Sequence, residues 1–447
     1  MNAKTKHWTI AGIFLVTLIS SAIAQETGKP WSLDDCISYA LSKNITVQQA
    51  GLSNDRNSLY VDQAKAARLP SLNGSVSQSF SWDKSYDTQS GTFGSMEGSN
   101  GTNYSLSSSM TLFNGMKLRN EITQSELNLQ SSQYYSESVK ESVELSILNA
   151  FLQVVYAQES VGNAEKQIEV TREQLQLAGE RLELGAISRA DYLQIKSEVA
   201  SENLTLAQAK SQLAIARVSL LQLMELPVDD SFQISSPDME KIINEQRSPD
   251  ATDIYEQALT IKPQIREAEL NKQSAMLDEK IAKAGMIPSV SMSAGLGTNY
   301  SSGLSGISYG SQIANQISPS LGVGISIPIF QKKQVKTSIG LAKIGYHEAE
   351  LSEIDTRNQL RKEIEQATVD VLSAQMEYEA NLEQYQALLE SNQVSLEKFN
   401  LGLMSSVDYL YEKTSLITAE SSLLQSKFNL IFSYKILDFY KGTPITL

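Results

Sequence analysis

Two ten-residue stretches carry the chain's clearest pattern of chemically active side chains. Leu-Gly-Ala-Ile-Ser-Arg-Ala-Asp-Tyr-Leu at 184–193 returns 217 residues later as Leu-Gly-Leu-Met-Ser-Ser-Val-Asp-Tyr-Leu at 401–410. Each stretch places one carboxylate, Asp191 or Asp408, three residues after a serine. A carboxylate at that spacing can complete a helix capping box, accept hydrogen bonds or attract cations. The pattern indicates a turn held by polar contacts. It contains no imidazole that could activate a serine for catalysis.

Histidine and cysteine are too scarce for most enzyme chemistry. The histidines are His7 and His347, and Cys36 is the single cysteine. A catalytic triad or a histidine metal site needs imidazoles in a defined pocket, and His347 lies in a polar helical pattern. Cys36 also lies in a helical pattern and is interpreted as a buried thiol. We expect no enzyme activity, no cofactor and no metal site.

The glycine and the serine of each stretch predict a helix, a turn and a second helix. Gly185 and Gly402 suit the left-handed residue that ends a helix. Ser188 and Ser405 are then expected to cap the following helices, with Asp191 and Asp408 at the third helical position. Capping alone explains the pattern, and a further role for the aspartates is compatible with it.

The whole chain is a tandem duplication. The first repeat is predicted at 25–225 and the second at 252–440, with a tail at 441–447. The segment 226–251 contains Pro227, Pro237 and Pro249, has no helical period and is interpreted as a linker. A period of this length is far beyond that of solenoid repeats and suggests two equivalent halves of one object.

The first 24 residues match a secretory signal. Lys4 and Lys6 precede an apolar run, and Ala22-Ile23-Ala24 resembles a cleavage site. Removing this segment leaves 35 basic and 51 acidic residues, a net charge of −16. Such a chain repels nucleic acid, so no nucleic-acid partner is expected.

Long helices dominate both repeats. Proline is absent between Pro70 and Pro227 and between Pro328 and Pro444, where it would break a helix. Helices are predicted at 33–68, 116–183, 188–225, 252–285, 333–400 and 406–440. Apolar residues recur every seven positions in several of them, for example at Leu193, Ala200 and Ala207, which is typical of supercoiled helices. Helices of nearly 70 residues would be about 100 Å long.

Four short segments change to a period of two. They lie at about 71–83, 103–113, 289–300 and 319–330, and apolar residues alternate with serine, asparagine or glycine. Segments of about ten residues with one apolar face fit strands of an outer-membrane barrel, although a soluble sandwich also alternates. The signal and the long helices favour the membrane. The connections at 83–102 and 301–318 are glycine- and serine-rich and are interpreted as outer loops.

Four strands cannot close a barrel, since bacterial outer-membrane barrels have at least eight and open edges are not tolerated in lipid. The chain must therefore associate. Three copies would supply about twelve strands, in agreement with the closed symmetry typical of homo-oligomers.

The chain resembles the TolC-type outer-membrane efflux family over nearly all of its mature length. The duplicated turns at 184–193 and 401–410 carry the resemblance, together with Pro328-Ile329-Phe330 at a strand-to-helix junction. The resemblance implies a homotrimeric duct, mainly α-helical with a small β part. Its twelve-stranded barrel would lie in the outer membrane of a Gram-negative bacterium, and its long coiled-coil helices would form an α-barrel in the periplasm.

The resemblance also implies partners. Family members meet a periplasmic adaptor protein and an inner-membrane transporter of the RND, ABC or MFS type, and the barrel contacts outer-membrane lipid. The duct itself does no chemistry. It is a passive exit for substrates of an efflux or secretion system, and the cargo stays open between drugs, metal ions and polypeptides.

By the same resemblance, Asp191 and Asp408 fall where family members place acidic residues around the closed periplasmic tip. The usual arginine and second acid of that gate are replaced here by Met404 and Tyr411, whereas Arg189 lies in the first turn. The tip positions used for adaptor docking correspond to Leu184, Gly185, Ala186, Leu401, Gly402 and Leu403.

Two other classes of protein share some of these features. A periplasmic coiled-coil spacer would account for the helices, but it has no use for strands with an apolar face. An enzyme is disfavoured because the chain lacks suitable imidazoles, thiols and a glycine-rich phosphate loop.

Overall fold

The computed structural model describes residues 30–89, 91–229, 232–235, 237, 239–243 and 250–447. The predicted signal at 1–24 lies outside the described residues. The elements of the first repeat are α1 (Leu33–Lys43), α2 (Ile45–Ala66), β1 (Ser71–Asp87), β2 (Thr92–Phe113), α3 (Lys117–Glu183) and α4 (Arg189–Leu223). A short helix, α5 (Met239–Ile243), follows. The elements of the second repeat are α6 (Ala251–Ile261), α7 (Pro263–Ala284), β3 (Ser289–Ser301), α8 (Tyr309–Asn315), β4 (Ser318–Ser326), α9 (Gln334–Asn400) and α10 (Ser406–Tyr440).

The two longest helices are equal in length and equivalent in the two repeats. α3 and α9 each contain 67 residues, which gives a length of about 100 Å. α4 and α10 each contain 35 residues; α4 returns along α3, and α10 returns along α9. The predicted fold class, mainly α-helical with four strands in two tandem repeats, is confirmed.

The first helix of each repeat is two helices, which corrects the predicted single helices at 33–68 and 252–285. α1 ends at Asn44, whose side chain accepts a hydrogen bond from the amide of Thr46 at 2.9 Å and donates to the carbonyl of Leu223 at 3.0 Å. In the second repeat Lys262 has extended backbone (φ −73°, ψ 125°) because Pro263 follows it. The Lys-Pro pair was a visible signal for the second break.

The four strands form one antiparallel sheet in the order β1-β2-β3-β4. Ser75 pairs with Ser105, which in turn pairs with Gly297, so this row of the sheet is small and polar. On the other face the neighbouring row begins with Val76 and Tyr104. The apolar side chains share that second face, as the alternation predicts. Exposed apolar residues on it include Leu72, Val76, Leu321, Val323 and Ile325.

Three strands and the segments that connect the strands and the repeats differ from the predictions. β1 and β2 continue through the predicted loop at 83–102 to form a long hairpin, in which Asp83 pairs with Glu97. β4 ends at Ser326, earlier than predicted. Pro328 follows soon afterwards and has no backbone amide to donate to a neighbouring strand. The connection at 301–318 contains α8, and the linker contains α5, neither of which was predicted.

The main core lies where the two repeats meet, away from the sheet. Ile147 and Phe151 of α3, Leu220 of α4, Ile364 of α9 and Tyr434 of α10 are among its fully buried side chains. The linker joins this core through Trp31, whose amide donates to the carbonyl of Gln233 at 2.8 Å and whose carbonyl accepts from the amide of Ser235. Each repeat therefore contributes helices to one shared interior.

No helix in the described ranges combines the length and the apolar character that crossing a membrane requires.

Candidate functional site

The duplicated turns end the long helices in the same way. Gly185 has φ +72° after α3, and its amide donates to the carbonyl of Leu182 at 3.0 Å while that of Ala186 donates to Arg181 at 2.8 Å. Gly402 has φ +73° after α9 and the same two bonds recur around it. This pair of bonds is the Schellman motif, which satisfies the last carbonyls of a helix and favours glycine at its left-handed position.

The serines after the turns cap the returning helices, as the spacing predicts. The Ser188 hydroxyl accepts from the amide of Asp191 at 3.1 Å, and the Asp191 carboxylate accepts from the amide of Ser188 at 3.3 Å. Ser405 accepts from the amide of Asp408 at 3.1 Å and donates its hydroxyl to the carboxylate at 2.7 Å. Both aspartates therefore stabilise the first turn of α4 or α10.

The two aspartates differ in their contact with the opposite repeat. Oδ1 of Asp191 accepts a hydrogen bond from the hydroxyl of Ser406, the first residue of α10. Ser406 is 3% exposed and Asp191 is partly exposed, so this bond is shielded from water on one side. The hydrogen bonds from Ser188 and then from Ser406 hold the pKa of Asp191 below its usual value. Asp191 thus joins the two repeats, whereas Asp408 exchanges hydrogen bonds with Ser405 of its own turn.

Tyr409 makes a second connection between the repeats. Its hydroxyl accepts from the side-chain amide of Gln174 on α3 at 2.8 Å. Its ring stacks on Phe399 at 5.0 Å between centroids and is 4% exposed. Burial raises the pKa of Tyr409, so the phenol stays neutral at physiological pH.

Lys413 makes a third connection, one turn farther along α10. Its ammonium donates to the hydroxyl of Thr171 on α3 and to Oε1 of Glu202 on α4 at 2.9 Å. Gln167 donates to the same oxygen at 3.3 Å. The side chains of Lys413 and Glu202 are 4% and 8% exposed. Two opposite charges therefore meet in the interior of a contact among three helices.

Ser406, Tyr409 and Lys413 lie three and four residues apart on α10, and such spacing puts side chains on one helix face. We call them, with their partners Asp191, Gln174, Thr171 and Glu202, the tip connections. They join α10 of the second repeat to α3 and α4 of the first over the two turns nearest the tip. Of the predicted gate residues, the structure brings only Asp191 into this set.

The other predicted gate residues make no such connection. No hydrogen bond or ion pair joins Arg189, Met404 or Tyr411 to the opposite repeat within the described part of the chain, and Tyr411 is 74% exposed. Thr171 is the clearest sequence signal of a tip connection that the prediction did not use, because it is a polar residue at a heptad position shared with Ala164 and Ala178. A polar residue in a helix seam needs a buried partner.

The predicted docking residues form an exposed apolar surface at the tip. Leu184, Leu401 and Leu403 are 83%, 74% and 73% exposed. Gly185 and Gly402 leave open space around them, since a Cβ built on either meets nothing within 4 Å. Three exposed leucines beside two open glycines are unusual on a polar helical surface and suit contact with another protein.

The remaining titratable candidates are not part of this site. Cys36 is fully buried in α1, and burial raises the pKa of its thiol to about 12. The side chain of His347 is 70% exposed and pairs with Glu350 within one helix. Among the residues described by the structure, no group of histidine, cysteine, aspartate and glutamate side chains could hold a metal ion.

Comparison with known proteins agrees with this architecture. The outer membrane efflux protein family matches residues 36–225 and 254–437, one segment in each repeat. The outer membrane efflux protein BepC of Brucella suis biovar 1 (strain 1330) is 21% identical over 328 residues, covering 73% of this chain and 69% of BepC. The outer membrane protein TolC of Salmonella enteritidis is 29% identical over 224 residues, covering 49% of this chain and 44% of TolC.

Solved structures show the same fold. The CmeC outer membrane channel of Campylobacter jejuni has a TM-score of 0.76 at 19% identity, covering 93% of this chain and 86% of CmeC. The match extends over strands and helices together, which a coiled-coil spacer would not require. The chain belongs to the outer membrane efflux protein family and is an exit channel of the outer membrane of a Gram-negative bacterium.

Proposed function

We propose that three copies of this chain assemble into one passive duct that carries substrates through the periplasm and the outer membrane. The four-stranded sheet supports this, because β1 and β4 each leave one edge unpaired within the chain. Open edges are not tolerated in lipid, and three sheets joined edge to edge give a closed twelve-stranded barrel. The apolar face would contact lipid and the serine face would line the lumen.

The duct works with two further proteins in this proposal. A periplasmic adaptor contacts the tip through Leu184, Leu401, Leu403 and their neighbours Gly185, Ala186 and Gly402. An inner-membrane transporter of the RND, ABC or MFS type supplies substrate and energy, and the duct itself catalyses no reaction. The exposure of the three leucines supports the docking surface.

Docking can be tested by photocrosslinking in cells. A photoreactive amino acid at Leu184 or Leu401 is expected to capture the adaptor, whereas one at Ile325 on the sheet is not. Equal capture from all three positions would contradict docking at the tip.

The tip connections are proposed to hold the periplasmic end closed. Opening requires the pair α9 and α10 to move relative to the pair α3 and α4, and the tip connections join these pairs. The observation that carries this proposal is the hydrogen bond between Ser406 and Asp191, since it links the two duplicated turns directly. The predicted gate role rests only on correspondence with gate positions in the family for four residues: Asp408, Arg189, Met404 and Tyr411.

Conductance in a planar bilayer tests the gate. Ser406→Ala removes the connection and leaves both caps, so the closed-to-open ratio should fall roughly tenfold for the loss of one bond to a carboxylate. Asp408→Ala is the control for a disturbed first turn of α10, because it weakens a helix cap without removing a connection to the other repeat.

Three results are decisive for this proposal. A larger conductance in Ser406→Ala than in Asp408→Ala supports the gate. Equal conductance in the two variants and the wild type would assign Asp191 to helix capping only. The absence of any pore, after insertion has been verified, would contradict the duct.

A further inference from the structure

The connection between β3 and β4 folds back over the apolar face of the sheet. The ring of Tyr309 of α8 packs at a tilt against that of Tyr300 of β3, 4.6 Å between centroids, and its hydroxyl lies 2.6 Å from that of Tyr104 on β2. The hydroxyl of Thr298 donates to the carbonyl of Ile313 at 2.7 Å. Tyr104 and Thr298 are paired in the sheet and belong to the same row as Val76. α8 therefore lies on the side that faces lipid in the proposed barrel.

The polar groups that attach α8 are satisfied within the chain. Gln312 is 1% exposed, and its side-chain amide donates to the carbonyls of Ser301 and Ile307, both at 3.1 Å. Its Oε1 accepts from the amide of Ser301 at 2.9 Å. A polar side chain in contact with hydrocarbon needs such partners, because water cannot supply them. The attachment is therefore compatible with a lipid environment.

An apolar groove of 530 Å³ lies between α8 and the strands. Val76, Leu106 and Leu296 from three neighbouring strands line its floor, and Ile313 and Ile317 line the other side. It is open along its length, and nothing in the described chain fills it. We call it the α8 groove.

The groove lies at the outer end of β3 and β4, whereas on β1 its lining residues Gly74 and Val76 are close to the inner end of the strand. Leu296 is opposite Pro319, close to the first residue of β4, so α8 covers the part of β3 farthest from the helices. Tyr104, Tyr300 and Tyr309 cluster there, and outer-membrane barrels place tyrosines where hydrocarbon meets the headgroups. The α8 groove therefore lies beside a tyrosine cluster, within the apolar face that is proposed to contact hydrocarbon.

We propose that the α8 groove binds an acyl chain of a membrane lipid. The inference rests on the barrel orientation of the proposed function, and its carrying observation is a lined, unfilled apolar groove that continues the lipid-facing surface. That surface runs from Leu72 and Val76 to Leu321 and Ile325, and all four are more than 60% exposed. A groove continuous with hydrocarbon, with apolar walls, takes an acyl chain in preference to water.

Spin-labelled lipid provides the test. The full chain is reconstituted into phospholipid nanodiscs that contain a trace of phosphatidylcholine labelled near the end of one acyl chain. Two variants fill the groove from opposite sides, Ala314→Trp from α8 and Gly74→Leu from β1. At residue 74 a Cβ meets only Leu106, at 3.9 Å, so the strand has room for it. Ile325→Trp is the matched control, since it adds the same bulk to the lipid face outside the groove.

Beyond the boundary lipid restricted by the rest of the apolar face, the wild type should show one further motionally restricted component of about one molecule per chain, because burying methylenes in the groove holds the acyl chain. That component should fall roughly tenfold in Ala314→Trp and Gly74→Leu and persist in Ile325→Trp. Equal restriction in all three variants, or no such further component in the wild type, would overturn the proposal. An effect of Ala314→Trp without one of Gly74→Leu would also overturn it, because both fill the same space.

Failure of the barrel orientation is separable from failure of the groove. Brominated lipid should quench the added tryptophan of Ile325→Trp above the background from Trp82. If it does not, the proposed lipid-facing side is wrong. If the added tryptophan is quenched but the wild type lacks the further restricted lipid component, only the proposal for the α8 groove is contradicted.

Discussion

The ammonium of Lys413 lies 2.9 Å from Oε1 of Glu202, with both side chains more than nine-tenths buried. The two residues belong to different repeats and different helices. Oε2 of Glu202 is buried without a hydrogen-bond partner in the described chain, so Lys413 supplies most of the compensation for that charge. A buried pair of this kind specifies how the two repeats fit together more than it adds stability.

Removing Lys413 should therefore be costly. Lys413→Met leaves Glu202 charged and unpaired, and it should lower the free energy of unfolding by about 3–5 kcal/mol. Circular dichroism during thermal unfolding would show the loss as an earlier transition of the helices.

The exposed pair of Lys210 and Glu165 is the matched control. Their atoms are 2.8 Å apart, but both side chains are more than half exposed. Lys210→Met should cost at most about 1 kcal/mol. The double change Lys413→Met with Glu202→Met should recover most of the loss. Equal effects of the two lysine substitutions would show that burial does not decide the strength of the Lys413 pair.

The connection through Asp191 should resist mild acid. Its pKa in the folded chain is below the usual value of 3.8, so its contribution is present above that value and is lost as pH falls through the lower, folded pKa. Channel conductance should thus stay constant from about pH 7 to about pH 4 and rise only below it.

Ser406→Ala removes this connection at every pH, so the conductance of the variant should already be raised at neutral pH and should rise less than that of the wild type below about pH 4. A wild-type conductance that already rises near the usual pKa of histidine would point to another group and contradict the role of Asp191.

The two turn glycines should be intolerant of a side chain for backbone reasons alone. Gly185→Ala and Gly402→Ala put an alanine at positive φ, which should cost roughly 1–2 kcal/mol each, although nothing nearby would clash. Gly162→Ala is the control, because Gly162 lies inside α3 with open space around it. That change should stabilise the helix by roughly 0.5–1 kcal/mol. Thermal unfolding of the three variants would decide, and a shift in the same direction for all three would contradict the prediction.

The thiol of Cys36 should be inert in the folded protein. It is buried and its pKa is raised to about 12, so very little thiolate forms near neutral pH. Alkylation by iodoacetamide should be negligible until the chain is unfolded. A cysteine placed by Leu184→Cys, at an exposed tip position, should react at once in the same chain. Rapid labelling of folded wild-type protein would show that α1 opens.

Much of the architecture was predictable because it repeats a local rule. The period of seven and the absence of proline predicted α3 and α9 to within one residue at the start and at the end. The alternation with serine predicted the two faces of the sheet. The breaks at Asn44 and Lys262 were missed, although Pro263 signalled the second of them. Asn44 gave little local warning, because its carbonyl partner lies at Leu223, 179 residues away.

Only part of the candidate site could be predicted from the sequence, because local spacing does not reveal partners that lie far away along the chain. Gly185, Ser188 and Asp191 act through contacts of three to five residues, so their spacing predicted the turn and the cap. Ser406, with its partner 215 residues away, could not be identified from local spacing.

The sequence by itself determined the duplication, the helix lengths, the alternation of the strands and the family, because each depends on residues close together or on a repeated register. Only the tertiary structure decided that Asp191 and not Asp408 joins the repeats, that Lys413 meets Glu202, and that α8 lies on the apolar face. These contacts depend on how separate helices and strands pack, since two equivalent sequences acquire different partners once they occupy different positions in one fold.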